Sequence, residues 1–141
     1  MKSAKLDDHT FALRLEPGDD VHETLQSFCA ANRITNAAVQ GIGSVDSPTL
    51  AHYSMHTKHF SDVSLKGIFE VTSLLGNIAL VDGQPFAHLH VTVSDPQMIA
   101  KAGHLVKAVC SATLELILTK YPTRHTKSQN NDIGLFVWDF D

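Results

Sequence analysis

Cysteine is scarce in this 141-residue sequence, which contains only Cys29 and Cys110 and no Cys-x-x-Cys pair. A disulfide framework or a zinc site built from thiolates needs more cysteines than these two. Both are therefore predicted to be buried apolar side chains. The sequence also lacks a run of roughly 18 to 20 apolar residues, the length that crosses a bilayer, and residues 1–8 lack the apolar core of a secretion signal. We therefore expect a cytoplasmic protein that makes no membrane contact.

An excess of positive charge is also missing, because 15 acidic residues outnumber 11 lysines and arginines and give a formal net charge of −4. This charge opposes a general attraction to phosphate backbones, so nucleic-acid binding would need a local basic patch. Basic residues do concentrate in the C-terminal part, spread over several predicted elements, and we interpret them as a solvent-exposed face. They are Lys101, Lys107, Lys120, Arg124 and Lys127.

The remaining composition, 43% hydrophobic and 18% charged residues, is ordinary for a globular protein. The length predicts one domain over residues 1–141, with a core of about 11–140. Alternating and β-branched segments predict a largely antiparallel sheet with one or two helices, an α+β fold. The predicted strands are, in order, 10–15, 37–45, 49–55, 67–81 with an interruption, 86–94, 108–121 and 134–140.

Local signals define the connections between these strands. Asp20 and Glu23 form a capping-box pattern that opens a helix ending near Asn32. Gly41 and Gly43 predict a bulge or a close backbone approach within the second strand. Asp82-Gly83 predicts a tight turn that pairs the histidine-rich strand with residues 77–81. The polar stretch 58–66 is interpreted as a loop or an irregular edge. The polar stretch 122–132 is interpreted as a mobile segment.

Histidine is the residue type that carries the strongest chemical signal. Because strand side chains alternate between faces, His88 and His90 share one face, together with Phe86, Thr92 and Ser94. Same-face neighbours lie roughly 7 Å apart, a separation that lets two imidazoles converge on one ion. His104, reached through a short connection, supplies a third. Three neutral imidazoles with an open position are the ligand set of catalytic zinc.

Two carboxylates are candidates for acid–base chemistry beside such an ion. Glu70 and Glu115 lie on strands that could neighbour the histidines, and either could act as a general base on a metal-bound water. The alternative is an ordinary strand carboxylate that faces solvent. A second cluster of His52, His56 and His59 is also conceivable, although nothing beyond spacing supports it.

A series of short motifs extends over nearly the whole chain, from Phe11 to Phe140. In order they are Gly41-x-Gly43-Ser44-Val45, Gly67-x-Phe69-Glu70-Val71, Ser73-Leu74-Leu75-Gly76-Asn77, His88-Leu89-His90, Gly103-His104-Leu105 and Thr113-Leu114-Glu115. Their order and spacing resemble the PPC domain, the plants and prokaryotes conserved domain also called DUF296. The resemblance implies a largely antiparallel α/β fold, a homotrimer, and a zinc ion on His88, His90 and His104. Bacterial proteins of this family are often labelled as predicted DNA-binding proteins. This chain has no AT-hook, the basic Arg-Gly-Arg segment that binds the minor groove in the plant proteins.

Three functions are compatible with the sequence. The first is a trimeric, zinc-binding module that recognises a small ligand or a protein partner. The second is a zinc-dependent enzyme acting on a small carbonyl or carboxylate compound. The third is a DNA-associated regulator, which requires a basic surface. The acidic net charge and the histidine pattern favour the first.

Overall fold

The computed structural model describes residues 1–140, and antiparallel strands dominate it. The α+β architecture predicted from the sequence is confirmed. No helix among these residues has the length and apolar character needed to cross a membrane. The elements are β1 Lys2–Lys5, β2 Thr10–Leu15, α1 Val21–Ala31, β3 Ala37–Ser54, β4 His59–Ser64, β5 Ile68–Val81, β6 Gln84–Ser94, β7 Ala100–Lys120, β8 Thr126–Asn130 and β9 Leu135–Asp139.

Four long strands close on one another and enclose the core. β3 pairs with β5, β5 with β6, β6 with β7, and β7 returns to β3, always antiparallel. β2 continues the sheet on β7, β1 on β2, and β4 on β3. The largest fully buried side chains come from every long strand and from α1. They include Leu13, Leu15, Leu25, Leu74, Ile78, Leu89, Leu105, Leu114, Leu116 and Leu118.

The helix begins where its capping pattern predicts. The Asp20 carboxylate accepts a hydrogen bond from the Glu23 backbone N–H at 3.0 Å, which satisfies one of the free donors of the first turn. α1 ends at Ala31, and Asn32 caps it. Its apolar side buries Leu25 and Phe28 against the sheet, so local capping and the 3.6-residue period agree.

Turns and bulges were also predicted at the correct glycines. The pairing of β3 with β5 shifts register between Gly41 and Gly43. Asp82 and Gly83 both have positive φ, 50° and 77°, as the β5–β6 hairpin turn requires.

The structure differs from the sequence predictions in three segments. Residues 37–45 and 49–55, predicted as two strands, belong to one strand, because Ser47, with φ 44°, and a register shift beside it bend β3 without reversing it. The stretch 58–66, predicted as a loop or irregular edge, contains the edge strand β4, whose residues are all exposed and therefore show no alternation of burial. The stretch 122–132, predicted without a strand, contains β8; its mobility stays a prediction.

The strand carrying His104 also differs from the prediction. β7 begins at Ala100, well before the predicted start at 108, so His104 lies inside a strand and not in a connection. The Asp95 carboxylate stabilises the turn between β6 and β7, because it accepts hydrogen bonds from the backbone N–H groups of Gln97 and Ile99, both at 3.0 Å.

Gly76 is predicted to be indispensable for the β5–β6 pairing beside the histidines. A Cβ at this position would overlap the His88 carbonyl oxygen and lie 2.6 Å from Leu89 Cδ2. We expect Gly76→Ala to lower the free energy of unfolding by about 2 kcal/mol or more, as overpacking does. Urea denaturation measures the loss. Gln84→Ala, at an exposed position of the same hairpin, should change stability by less than about 0.5 kcal/mol. Equal effects of the two substitutions would contradict the prediction.

Candidate metal centre

Two adjacent strands bring the three predicted histidines together. His88 and His90 lie on the same face of β6, and His104 on β7 is the direct cross-strand partner of His90. Directly opposed residues in antiparallel strands hold their Cβ atoms about 4.5–5.5 Å apart on one face. The convergence therefore follows from the register of one ladder and from strand alternation.

The distances between the imidazoles fit a single ion. The ring centroids of His88 lie 5.2 Å from those of His90 and of His104, and the remaining separation is 5.5 Å. One ring nitrogen from each histidine lies within 4.8 Å of the other two. Imidazole is a preferred ligand of zinc, copper, nickel and iron. The three histidines, called here the triad, could hold a metal ion.

Aromatic side chains surround the triad in a pocket of about 760 Å³. On one side, Tyr53 and Phe60 pack with their ring centroids 4.8 Å apart, and Phe60 lies 5.2 Å from the His104 ring. On the other side, Phe86 faces Phe136 at 6.3 Å. The Tyr53 hydroxyl donates to the Ile133 carbonyl oxygen, which joins β3 to the β8–β9 turn. Only Phe86 was associated with the histidines from the sequence.

A buried lysine lies behind the triad. Lys127 on β8 is 5% exposed, and its Nζ lies 3.4 Å from His88 Nδ1. The same amine is 5.1 Å from the centre of the Trp138 ring and 5.9 Å from that of Phe86. Among residues 1–140, no carboxylate lies within 4.0 Å of it. The interpretation of Lys127 as part of a solvent-exposed basic face was therefore wrong.

Burial controls the protonation of this site. It lowers the pKa of His88 to about 4, with the positive charge of Lys127 as the next contribution. Burial is also the largest cause lowering the pKa of His104, followed by His90. Burial lowers the pKa of Lys127 as well. His88 and His104 are thus held in the neutral form, the form that binds metals.

The two predicted carboxylates lie in a different place. Glu70 and Glu115 are exposed and line a separate depression together with Ile42 and Thr113. Neither lines the pocket of the triad, and their catalytic role stays a prediction. Within residues 1–140, the triad is the only group of three potential ligands that converges. His52 lines the triad's pocket, but it forms no second cluster with its neighbours.

The depressed pKa of His88 predicts a stability that depends on pH. Between its ordinary value of 6.5 and about 4, the ring takes up a proton in the unfolded chain but not in the folded one. The free energy of unfolding of the metal-free protein therefore falls as the pH falls through this window. The full shift corresponds to about 3 kcal/mol, and partial solvent contact reduces the expected loss to about 2 kcal/mol.

Urea denaturation gives the free energy of unfolding of wild type and of His88→Gln at pH 7 and at pH 4.5. The loss between the two pH values should be larger in the wild type, and the excess is the contribution of His88. Lys127→Met should retain most of the shift, because burial is its larger cause. An NMR titration in which the His88 ring protonates near pH 6.5 would refute the prediction.

Solved structures with the same fold cover nearly the whole chain. A protein from Bacteroides thetaiotaomicron, provisionally named as DNA-binding, has a TM-score of 0.92 at 29% identity over 96% of this chain and 95% of its own. A plant- and prokaryote-conserved protein from Pyrococcus horikoshii has a TM-score of 0.86 at 28% identity over 92% and 90%. A metal-containing protein from Archaeoglobus fulgidus has a TM-score of 0.84 at 28% identity over 96% and 99%.

No curated protein matches the chain. The sequence model of the Plants and Prokaryotes Conserved (PCC) domain matches residues 2–122, which is most of the chain. This is the domain that the ordered glycine and histidine motifs resemble, and the similar solved structures include one that bears its name. The chain belongs to the Plants and Prokaryotes Conserved domain family.

Proposed function

We propose that this protein is a cytoplasmic homotrimer that binds one zinc ion per chain through His88, His90 and His104 and recognises a small ligand or partner there. The observation that carries the proposal is the convergence of three imidazoles from paired strands within 4.8 Å. A similar solved structure from Archaeoglobus fulgidus is named as metal-containing, which supports a metal in this fold.

The surroundings of the triad favour ligand binding. A zinc ion, when bound, supplies a Lewis-acidic centre for an oxygen donor. His88 and His104 are partly buried while His90 is exposed, so the site is open on one side. Aromatic side chains line the remainder of the pocket. Neutral imidazoles leave the charge of the ion uncompensated, which favours an anionic ligand.

Exposed apolar side chains on the sheet support the trimer. Ile42, Ile68 and Leu75 are 61%, 62% and 58% exposed. Ile42 and Leu75 line one surface depression, and exposed apolar patches of this kind are typical of contacts between proteins. Light scattering of the purified protein measures the oligomeric state directly, and a monomer at micromolar concentration would refute this part of the proposal.

An enzyme remains the alternative within the same site. It needs a general base within reach of the substrate. Glu70 and Glu115 line a different depression, and the pocket's lining, over the part of the chain that the structure describes, includes no carboxylate. A binding role therefore fits the pocket better than water activation by either glutamate.

DNA binding is the second candidate, because similar proteins from Bacteroides thetaiotaomicron and Ralstonia eutropha are provisionally named as DNA-binding. The net charge of −4 opposes it. Fluorescence anisotropy with a labelled duplex at 50 and 200 mM salt tests this candidate. A DNA-binding protein would lose affinity steeply between the two concentrations, whereas no change in anisotropy at low salt removes the candidate.

Metal content is the direct test of the triad. We expect elemental analysis of the untagged protein, supplied with zinc, to find about one ion per chain. His88→Ala and His104→Ala should each lower zinc affinity by at least 10-fold, because each removes one of three ligands. His59→Ala is the matched control, since this exposed histidine on β4 lies outside the triad.

Circular dichroism establishes whether each variant remains folded. A folded wild-type protein that takes up no zinc would overturn the proposal. Equal loss of zinc in His59→Ala would show that the triad is not the binding site.

A further inference from the structure

We infer that the ligand of the triad's pocket is a small aromatic carboxylate, whose carboxylate group approaches the metal position and whose ring lies between the aromatic walls. The inference rests on the proposed zinc site and goes beyond it by naming the chemical class of the ligand. It follows from three features of the pocket: its aromatic lining, the positive charge expected at the triad, and the small number of polar side chains.

The walls are suited to a flat apolar body. Tyr53 and Phe60 form one wall and Phe86 and Phe136 the other, and each pair packs ring against ring. Phe60 and Phe136 are 45% and 42% exposed, so a bound ring would remove aromatic surface from water. Aromatic pairs prefer offset or edge-on contacts with centroids 4.5–7 Å apart, which an aliphatic ligand does not provide. The volume of about 760 Å³ admits a bicyclic ring.

The charge around the triad selects an anion. No Asp or Glu among residues 1–140 lines the pocket, and neutral imidazoles add no negative charge to offset a divalent ion. The Lys127 amine lies 3.4 Å from His88 Nδ1, behind the triad. An anionic oxygen donor therefore meets a positive environment, whereas a cationic ligand such as an amine would be repelled.

The polar lining distinguishes a carboxylate from a phosphate. Within the described residues 1–140, the polar side chains that line the pocket are the histidines, Tyr53, whose hydroxyl is already bonded to Ile133, and Gln129. No arginine, lysine or helix N-terminus of this range lines it. Phosphate groups are bound by several such donors. A single carboxylate needs only the metal position and one amide.

Titration with 2-naphthoate tests the inference. The protein is first loaded with Co²⁺, whose visible spectrum changes when a ligand enters its coordination sphere, and metal content is measured on the same sample. We expect 2-naphthoate to change the spectrum and to bind at least 10-fold more tightly than acetate. 2-Naphthol, which has the ring without the carboxylate, should bind more weakly than 2-naphthoate.

Wall substitutions provide the second part of the test. Phe136→Leu should weaken 2-naphthoate by about 3- to 10-fold and leave acetate unchanged, because it alters only the wall. Phe60→Leu should weaken 2-naphthoate by a similar factor and acetate by less, because Phe60 also packs against the His104 ring. Tyr121→Leu, an exposed aromatic position outside the pocket, is the control and should leave both affinities unchanged.

The outcomes separate the two proposals. If the protein takes up cobalt but binds 2-naphthoate no better than acetate, the metal site is supported and the aromatic carboxylate ligand is overturned. The same conclusion follows if the wall variants weaken both ligands equally. A protein that takes up neither zinc nor cobalt loses both proposals.

Discussion

The antiparallel pairing of β6 with β7 is the interaction on which the site depends. It sets His104 directly opposite His90, and strand alternation then places His88 on the same face. A slip of one residue would turn His104 to the other face and leave two imidazoles without a third. The closed series of pairings from β3 through β5, β6 and β7 fixes this register, because no one of these strands can move without breaking two ladders.

Burial supplies the second constraint, and it acts on charge as well as on packing. The protein places an amine, three imidazoles and several aromatic rings close together, and no carboxylate from residues 1–140 lines the pocket. Such a group of cationic side chains would repel itself if all were protonated. Burial reduces this cost by favouring the neutral form of His88 and His104. Neutral imidazole is also the form whose ring nitrogen can bind a metal ion.

The sequence predicted the parts of the site that depend on local periodicity. Alternation in β6 was enough to place His88 and His90 on one face, and the short connection after β6 was enough to bring His104 near them. Lys127, Phe60 and Phe136 were missed because tertiary pairing brings them to the site. β8 reaches β5 through a single parallel pair, Leu80 with Thr126, and β4 is exposed along its length. Neither strand has the apolar alternation that identifies a strand from sequence.

The order of the strands along the chain also bears on how the domain assembles. The pairing of β2 with β7 joins residues that are far apart in the sequence, such as Thr10 and Thr119. The β6–β7 ladder instead joins His90 to His104, which are separated by a single turn. Loop-closure entropy grows with the length of chain enclosed. The three imidazoles thus meet across a short chain closure, so the histidine hairpin can form while the chain ends are still apart.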